Sequence, residues 1–243
     1  MKKTFQERVW DIVYQEGKKP KTPLQLLKIK RLISELASEI GVNHKEIRIL
    51  DIGCGTGDLI SDFVSKYACF GIDVSGEAVK KAKQKGVNAY KQDIEERLPF
   101  TENFFNIIVM SEVLEHVIRT DYVLKETWRV LNKEGFFILT IPNVNSPLSW
   151  IMQVFFDYPP LYSARYKSTH VRDFTLRTIK RALTNNGFRI HRIQGTYVYP
   201  FSNAFSRFIA SRINRLSEMI ILLSIKGERP IVTPEVTFDV REI

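Results

Sequence analysis

Cysteine is scarce in this chain: Cys54 and Cys69 are the only two thiols in 243 residues. Two cysteines cannot build a disulfide framework, so the fold must rest on a hydrophobic core, and a reducing compartment, the cytoplasm, is the expected setting. Long apolar runs are also missing. No stretch approaches the roughly 18 apolar residues of a membrane span, the run Met219 to Ile225 being far too short. No apolar segment follows Lys2 and Lys3 as it would in a secretory leader, so secretion is not expected. Internal repeats and low-complexity tracts are absent too, which excludes a repeat array. What remains is 44% hydrophobic, enough at this length for one α/β core with extensions.

Acidic residues are short in both flanks. Net charge is +5 over residues 1–48, −3 over 49–150 and +7 over 151–243. A mildly acidic centre between basic flanks points to an anionic partner: a phosphorylated metabolite, a glycan, nucleic acid or a membrane surface. Solubilising lysine and arginine on exposed faces would give the same count.

The most informative stretch is Ile49-Leu-Asp-Ile-Gly-Cys-Gly-Thr-Gly-Asp58. An apolar run reads as a buried strand and breaks into Gly53, Gly55 and Gly57, which leave room for a ligand against the backbone. Asp58 is placed to cap a helix carrying Leu59, Ile60, Phe63 and Val64. Strand, glycine turn and helix together predict a nucleotide-type pocket at the carboxyl end of a parallel sheet. The spacing is G-x-G-x-G rather than the dinucleotide G-x-G-x-x-G, and two acids, Asp51 and Asp58, flank it. Carboxylates there suit a cationic, amino-bearing ligand better than a pyrophosphate. This run resembles motif I of the class I S-adenosylmethionine-dependent methyltransferases.

The signals that follow arrive in the same order as in that family. Cys69-Phe-Gly-Ile-Asp73 is a second strand ending in an acid about 20 residues past the turn, where an acid takes ribose hydroxyls. A helix from Ser75 and a strand near Val87 to Tyr90 lead to Lys91-Gln-Asp93-Ile94. Phe104 to Met110 and Gly135 to Ile141 read as the fourth and fifth strands, with a helix over Asp121 to Leu131 between them. The resemblance implies that Asp51 and the backbone of Gly53, Cys54, Gly55 and Gly57 face the methionine end, that Asp73 binds ribose and that Asp93 binds the adenine amino group. It further implies that Val74 and Ile94 pack on the adenine and that Ser111 lines the pocket.

Ser111-Glu-Val-Leu-Glu-His-Val117 follows the fourth strand, where donor and acceptor should meet. As a helix it would put Glu112, Glu115 and His116 on one face, able with the distant His170 to hold a divalent cation such as Mg²⁺. An E-x-x-E-H element with a later histidine is similar to ubiquinone-pathway O-methyltransferases and to small-RNA 2′-O-methyltransferases. Metal-free relatives carry the same stretch, with the glutamates lining the pocket and the histidine packing or acting as a base. His116 and His170 are therefore candidate general bases or metal ligands. His44 and His191 lie outside these motifs.

The expected architecture is a Rossmann-like, doubly wound, mostly parallel seven-stranded sheet with an N-terminal helical lid, which the resemblance gives to the helix over Leu24 to Ile40, and an inserted cap. Residues 1–48 form an N-terminal helical extension, with a helix over Leu24 to Ile40 capped by Gly41. Residues 49–142 form the cofactor-binding core and 143–173 a cap insertion rich in aromatics (Trp150, Phe155, Phe156, Tyr158, Tyr162, Tyr166) and prolines. Residues 174–243 complete the core. Ala204, Phe205, Phe208, Ile209, Ile213 and Leu216 form an apolar stripe near Arg207, Arg212 and Arg215, read as sheet-packed, membrane-surface or dimer helix. The expected activity is methyl transfer to a small, anionic, hydroxyl-bearing acceptor of the lipid- or sugar-linked kind. The alternatives are an RNA-directed 2′-O-type enzyme and a non-catalytic S-adenosylmethionine-binding module.

Overall fold

The computed structural model describes residues 5–15, 23–41, 46–157, 170–198, 208–210 and 212–228. His44, the aromatic and proline residues from Tyr158 to Tyr166, and Ala204, Phe205 and Arg207 of the apolar stripe lie outside them. Seven strands form: β1 (Arg48–Ile52), β2 (Ala68–Asp73), β3 (Asn88–Lys91), β4 (Phe105–Ser111), β5 (Leu131–Pro142), β6 (Phe188–Gly195) and β7 (Met219–Lys226). They make one sheet in the order β3-β2-β1-β4-β5-β7-β6. β1 to β5 run parallel, and β7 lies antiparallel to both β5 and β6.

The apolar runs of β1 and β4 are continuous rather than alternating because both faces of the sheet are covered. Alternate residues of β4 serve opposite layers. Ile107 and Val109 pack with Ile29, Ile33 and Leu36 of α2 (Pro23–Glu39), whereas Ile108 and Met110 pack with residues such as Leu124, Ile179 and Leu183. The last three belong to α4 (Thr120–Val130) and α6 (Leu176–Asn185) on the other side. The i, i+3, i+4, i+7 spacing of Ile29, Leu32, Ile33 and Leu36 is what makes α2 a covering helix. Gly41, at φ +68°, ends that segment as its sequence position suggested.

The remaining helices are α1 (Phe5–Gln15), α3 (Gly76–Gln84) and α5 (Pro147–Phe156). One local expectation is corrected. The run after Asp58 is a succession of turns with one 3-10 turn at Ser61–Phe63, not an Asp58-capped α-helix. The Asp58 carboxylate accepts from Thr56 Oγ1 at 2.9 Å and Lys85 Nζ at 2.5 Å. Of the described members of the apolar stripe, Phe208 and Ile213 are exposed, and Arg212 stacks on Phe208. No helix among the described residues is long and apolar enough to cross a membrane.

Candidate active site

The glycine turn is built by two constraints. Gly53 and Cys54 both donate their backbone N–H to the carbonyl of Ile72, at 2.8 and 3.0 Å, which ties the turn to the end of β2. The chain then needs positive φ, +70° at Gly53 and +51° at Gly55, a region in which only glycine is unstrained. Space is equally tight, since a Cβ on Gly53 would run into the Val113 side chain and one on Gly55 into the Tyr14 ring. Asp73, at the end of β2, braces the turn from the other side. Its Oδ2 accepts from Gly55 N–H and its Oδ1 from Ser75 N–H, both at 2.9 Å.

A cleft opens above the carboxyl ends of the strands. Of the expected cofactor residues, Gly53, Asp73, Val74, Asp93, Ile94 and Ser111 line it. A second cleft adjoins it at Gly53 and Tyr14 and is lined by Cys54 and Gly55. Gly57 and Asp51 line neither. Asp51 is wholly buried at the end of β1. Its charge is felt through space, adding to the burial that pushes the Cys69 thiol up to about 12 and also raises Tyr14. Such a thiol stays protonated and unreactive.

The Glu112 to His116 stretch is not a regular helix. Glu112 adopts φ +57° and only Leu114–His116 forms a 3-10 turn, so the expected shared face of Glu112, Glu115 and His116 does not form. The left-handed residue turns Glu112 towards β5, where its Oε1 accepts from Thr140 Oγ1 at 3.1 Å. Glu115 and His116 instead meet His170. The loop after residue 170 is tied in by Val171 and Arg172, whose N–H groups donate to the Glu115 carbonyl at 2.9 and 3.2 Å. The two imidazoles lie edge to face with ring centres 4.7 Å apart, and His116 Nε2 is 4.0 Å from Glu115 Oε1. Ligand atoms of Glu115, His116 and His170 all fall within 4.8 Å of one another. Burial holds His170 below the ordinary imidazole value, against an opposing pull from Asp173.

Helix α1 roofs the cleft with two residues that motif reading did not place there, Trp10 and Tyr14. Trp10 packs edge-on against His116, with ring centres 5.2 Å apart. Burial raises the Tyr14 phenol well above its usual range, and the nearby Asp73, Cys54 and Asp51 add to the shift. Gln92 and Val113 also line the cleft. The lid was expected of the Leu24 to Ile40 helix, but α2 packs its apolar face on the sheet and α1 roofs the cleft instead; the Trp10-x-x-x-Tyr14 spacing, one helical turn apart, was the available signal.

A seven-stranded sheet with an antiparallel β7, a glycine turn after β1 and acids after β2 and β3 defines the class I S-adenosylmethionine-dependent methyltransferase fold. Residues 25–193 match the methyltransferase domain family, and the chain belongs to it. It is 28% identical over 169 residues to the human mitochondrial ubiquinone biosynthesis O-methyltransferase, covering 64% of this chain and 45% of that protein. It is 29% identical over 181 residues to the tabtoxin biosynthesis enzyme of Pseudomonas amygdali pv. tabaci, covering 71% of this chain and 67% of that one. Among solved structures, a Thermotoga maritima S-adenosylmethionine-dependent methyltransferase, described as a possible histamine N-methyltransferase, superposes with a TM-score of 0.61 at 18% identity, covering 90% of this chain and 99% of that one. YcgJ from Bacillus subtilis superposes at 0.59 with 21% identity, covering 83% and 99%. The chain thus spans about half the length of its human relative, while the structural neighbours agree over nearly their whole length.

Proposed function

We propose that this protein is an S-adenosylmethionine-dependent methyltransferase acting on a hydroxyl-bearing small molecule in the cytoplasm. The observation that carries the reading is one cleft lined by Gly53, Asp73, Val74, Asp93 and Ile94 together with His116. The donor set fits the cofactor. Two acids can take ribose and adenine hydrogens, the glycine turn leaves no Cβ in the way, and Val74 and Ile94 are apolar faces for a ring. When bound, the cofactor supplies an activated methyl group for in-line displacement.

The chain's own part is positioning, closure and proton handling. Trp10 and Tyr14 exclude water above the cleft. His116, or His170 behind it, takes the acceptor's hydroxyl proton, and the lowered value of His170 keeps its imidazole neutral and able to do so. The segment 143–173, which follows β5 in the chain, is assigned to the acceptor. The basic excess of the flanks favours an acceptor carrying negative charge.

The Glu115, His116 and His170 set, one carboxylate and two imidazoles, does not suit Mg²⁺, which prefers an oxygen shell. Zn²⁺ or another transition metal fits those donors better, and Glu112 stands on Thr140 rather than with them. No step is assigned to a metal. The test is calorimetric titration with S-adenosylhomocysteine, with and without chelator, followed by transfer of labelled methyl to a panel of phenolic and aliphatic hydroxy acids. Micromolar binding that survives chelation, with label on a hydroxyl oxygen and its loss in His116→Ala, is the expected result. Failure to bind S-adenosylhomocysteine would overturn the reading.

A further inference from the structure

One wall of the cleft contains a buried polar chain that the roles above leave unused. Gln25 of α2 is buried and donates through Nε2 to Ser111 Oγ at 3.3 Å and to Thr140 Oγ1 at 3.0 Å. The two hydroxyls are 2.9 Å apart, and Thr140 Oγ1 also donates to Glu112 Oε1 at 3.1 Å. Directions follow from counting protons. Thr140 has a single hydroxyl proton and a carboxylate can only accept, so that proton goes to Glu112. Ser111 must then be the donor in its contact with Thr140. Every hydrogen in the chain, from the Gln25 amide onward, is therefore passed towards the Glu112 carboxylate.

Two further facts show that this carboxylate is held in place. Glu112 sits at φ +57°, a conformation costly for a residue with a Cβ, which persists only where the surroundings impose it. Its position is also defined by the sheet. Ser111 at the end of β4 pairs with Thr140 of β5, whereas Asp73 ends β2 and Asp93 follows β3. In the strand order β3-β2-β1-β4-β5, Glu112 lies on the opposite side of the glycine turn from the two acids assigned to adenosine. S-adenosylmethionine is a linear molecule with adenine at one end and an α-amino acid at the other. Anchored by Asp93 and Asp73 and laid across Gly53, it brings its amino-acid end to the β4–β5 side.

We infer that Glu112 is the site for the α-ammonium of the cofactor's amino-acid end, with Thr140 and Gln25 as positioning residues that aim it. This rests on reading the cleft as the S-adenosylmethionine site. A carboxylate offers roughly four acceptor positions, so a hydroxyl and an ammonium are accommodated together. The same fixation takes Glu112 out of the Glu115, His116 and His170 group.

The test is a thermodynamic cycle by calorimetry. Wild type, Glu112→Gln, Thr140→Val and Thr140→Ser are each titrated with S-adenosylhomocysteine and with its analogue lacking only the α-amino group. Glu112→Gln should weaken S-adenosylhomocysteine by roughly tenfold to a hundredfold, the range of a charge-assisted hydrogen bond, and should leave the analogue within about twofold. Thr140→Val should show the same selective loss to a smaller extent, and Thr140→Ser, which keeps the hydroxyl, should restore it. Equal weakening of both ligands, or of neither, overturns the inference. If Glu112→Gln does not fold, the Thr140 pair carries the same comparison. Failure of wild type to bind S-adenosylhomocysteine would instead overturn the reading of the cleft, so the two failures are distinguishable.

Discussion

Asp73 is engaged before any ligand arrives, because its two oxygens already hold the N–H groups of Gly55 and Ser75. It therefore fixes the glycine turn, and under the proposed function its remaining acceptor positions would serve a ribose. Asp73→Ala should cost S-adenosylhomocysteine about a hundredfold or more in affinity, since two charge-assisted bonds of about 1.5–3 kcal/mol each are at stake. Asp73→Asn, which keeps an acceptor on one side only, should fall between; calorimetry measures both. At Gly55 the argument is steric. Alanine there meets both a positive φ of +51° and the Tyr14 ring, so Gly55→Ala should lose about 1–2 kcal/mol from the backbone alone. Urea unfolding checks this, and adding Tyr14→Ala should recover the clash but not the backbone cost. Of these residues, Asp73 and Gly55 were legible because their identity and spacing carry the chemistry. Tyr14 was visible only as an aromatic in a flank, since its place above Gly55 is made by a helix docking from 40 residues away.

Among the elements, α1 is latched rather than merely laid on the cleft. Glu7 pairs with Lys91 at 2.6 Å, and Lys81 Nζ donates to the Tyr14 carbonyl at 2.7 Å. Asp11 accepts from the Ser75 hydroxyl and, at 3.5 Å, from the N–H of Glu77 in the first turn of α3. That last placement puts a negative charge where a helix N-terminus favours one. Asp11→Ala should therefore loosen the roof, speeding S-adenosylhomocysteine release several-fold while leaving the Asp73 contacts in place; stopped-flow following Trp10 fluorescence would measure it. In α4, Glu126 and Arg129 clamp the loop before β4. Arg129 donates to the carbonyls of Phe100 and Leu98, and Glu126 accepts from Leu98 N–H and from the guanidinium. Burial alone would raise Glu126, but the Arg129 hydrogen bonds and charge outweigh it and hold the carboxyl below its usual range. The unfolded chain then binds the proton more readily than the folded one. The pair's contribution is complete above the ordinary carboxylate value and is lost as pH falls through the lowered one. Unfolding measured from about pH 6 to about pH 3 should show a slope that flattens in the double variant Glu126→Gln, Arg129→Met.

Across the whole molecule, the cleft sits where the strand order turns from β1 to both β2 and β4, the crevice in which open parallel sheets bind ligands. A ligand that binds only the folded state stabilises it by mass action. S-adenosylhomocysteine at about 100 times its Kd should add roughly 2.7 kcal/mol, raising Tm by about 5–10 °C in a chain of this size. Differential scanning fluorimetry measures this, and the Asp73→Ala protein should show little or no rise.

The sequence by itself determined the parallel half of the sheet and the class of cofactor that the family uses. Runs such as Ile49 to Ile52 and Phe105 to Met110 must be buried on both faces, and acids such as Asp73 and Asp93 at strand ends have only a narrow range of uses. Tertiary structure decided the rest, because it turns on which groups compete for the same partner. β7 is inserted between β5 and β6, an order that apolar periodicity does not encode. Asp58 accepts from Thr56 and Lys85, and the chain after it runs as turns and a 3-10 turn rather than the expected α-helix. Glu112, read by helical spacing as a partner of His116, was drawn to Thr140 by a buried chain that begins at Gln25, 87 residues earlier in the sequence. Spacing reports what a regular element would bring together; only the packed molecule shows which hydrogen bond each polar group makes.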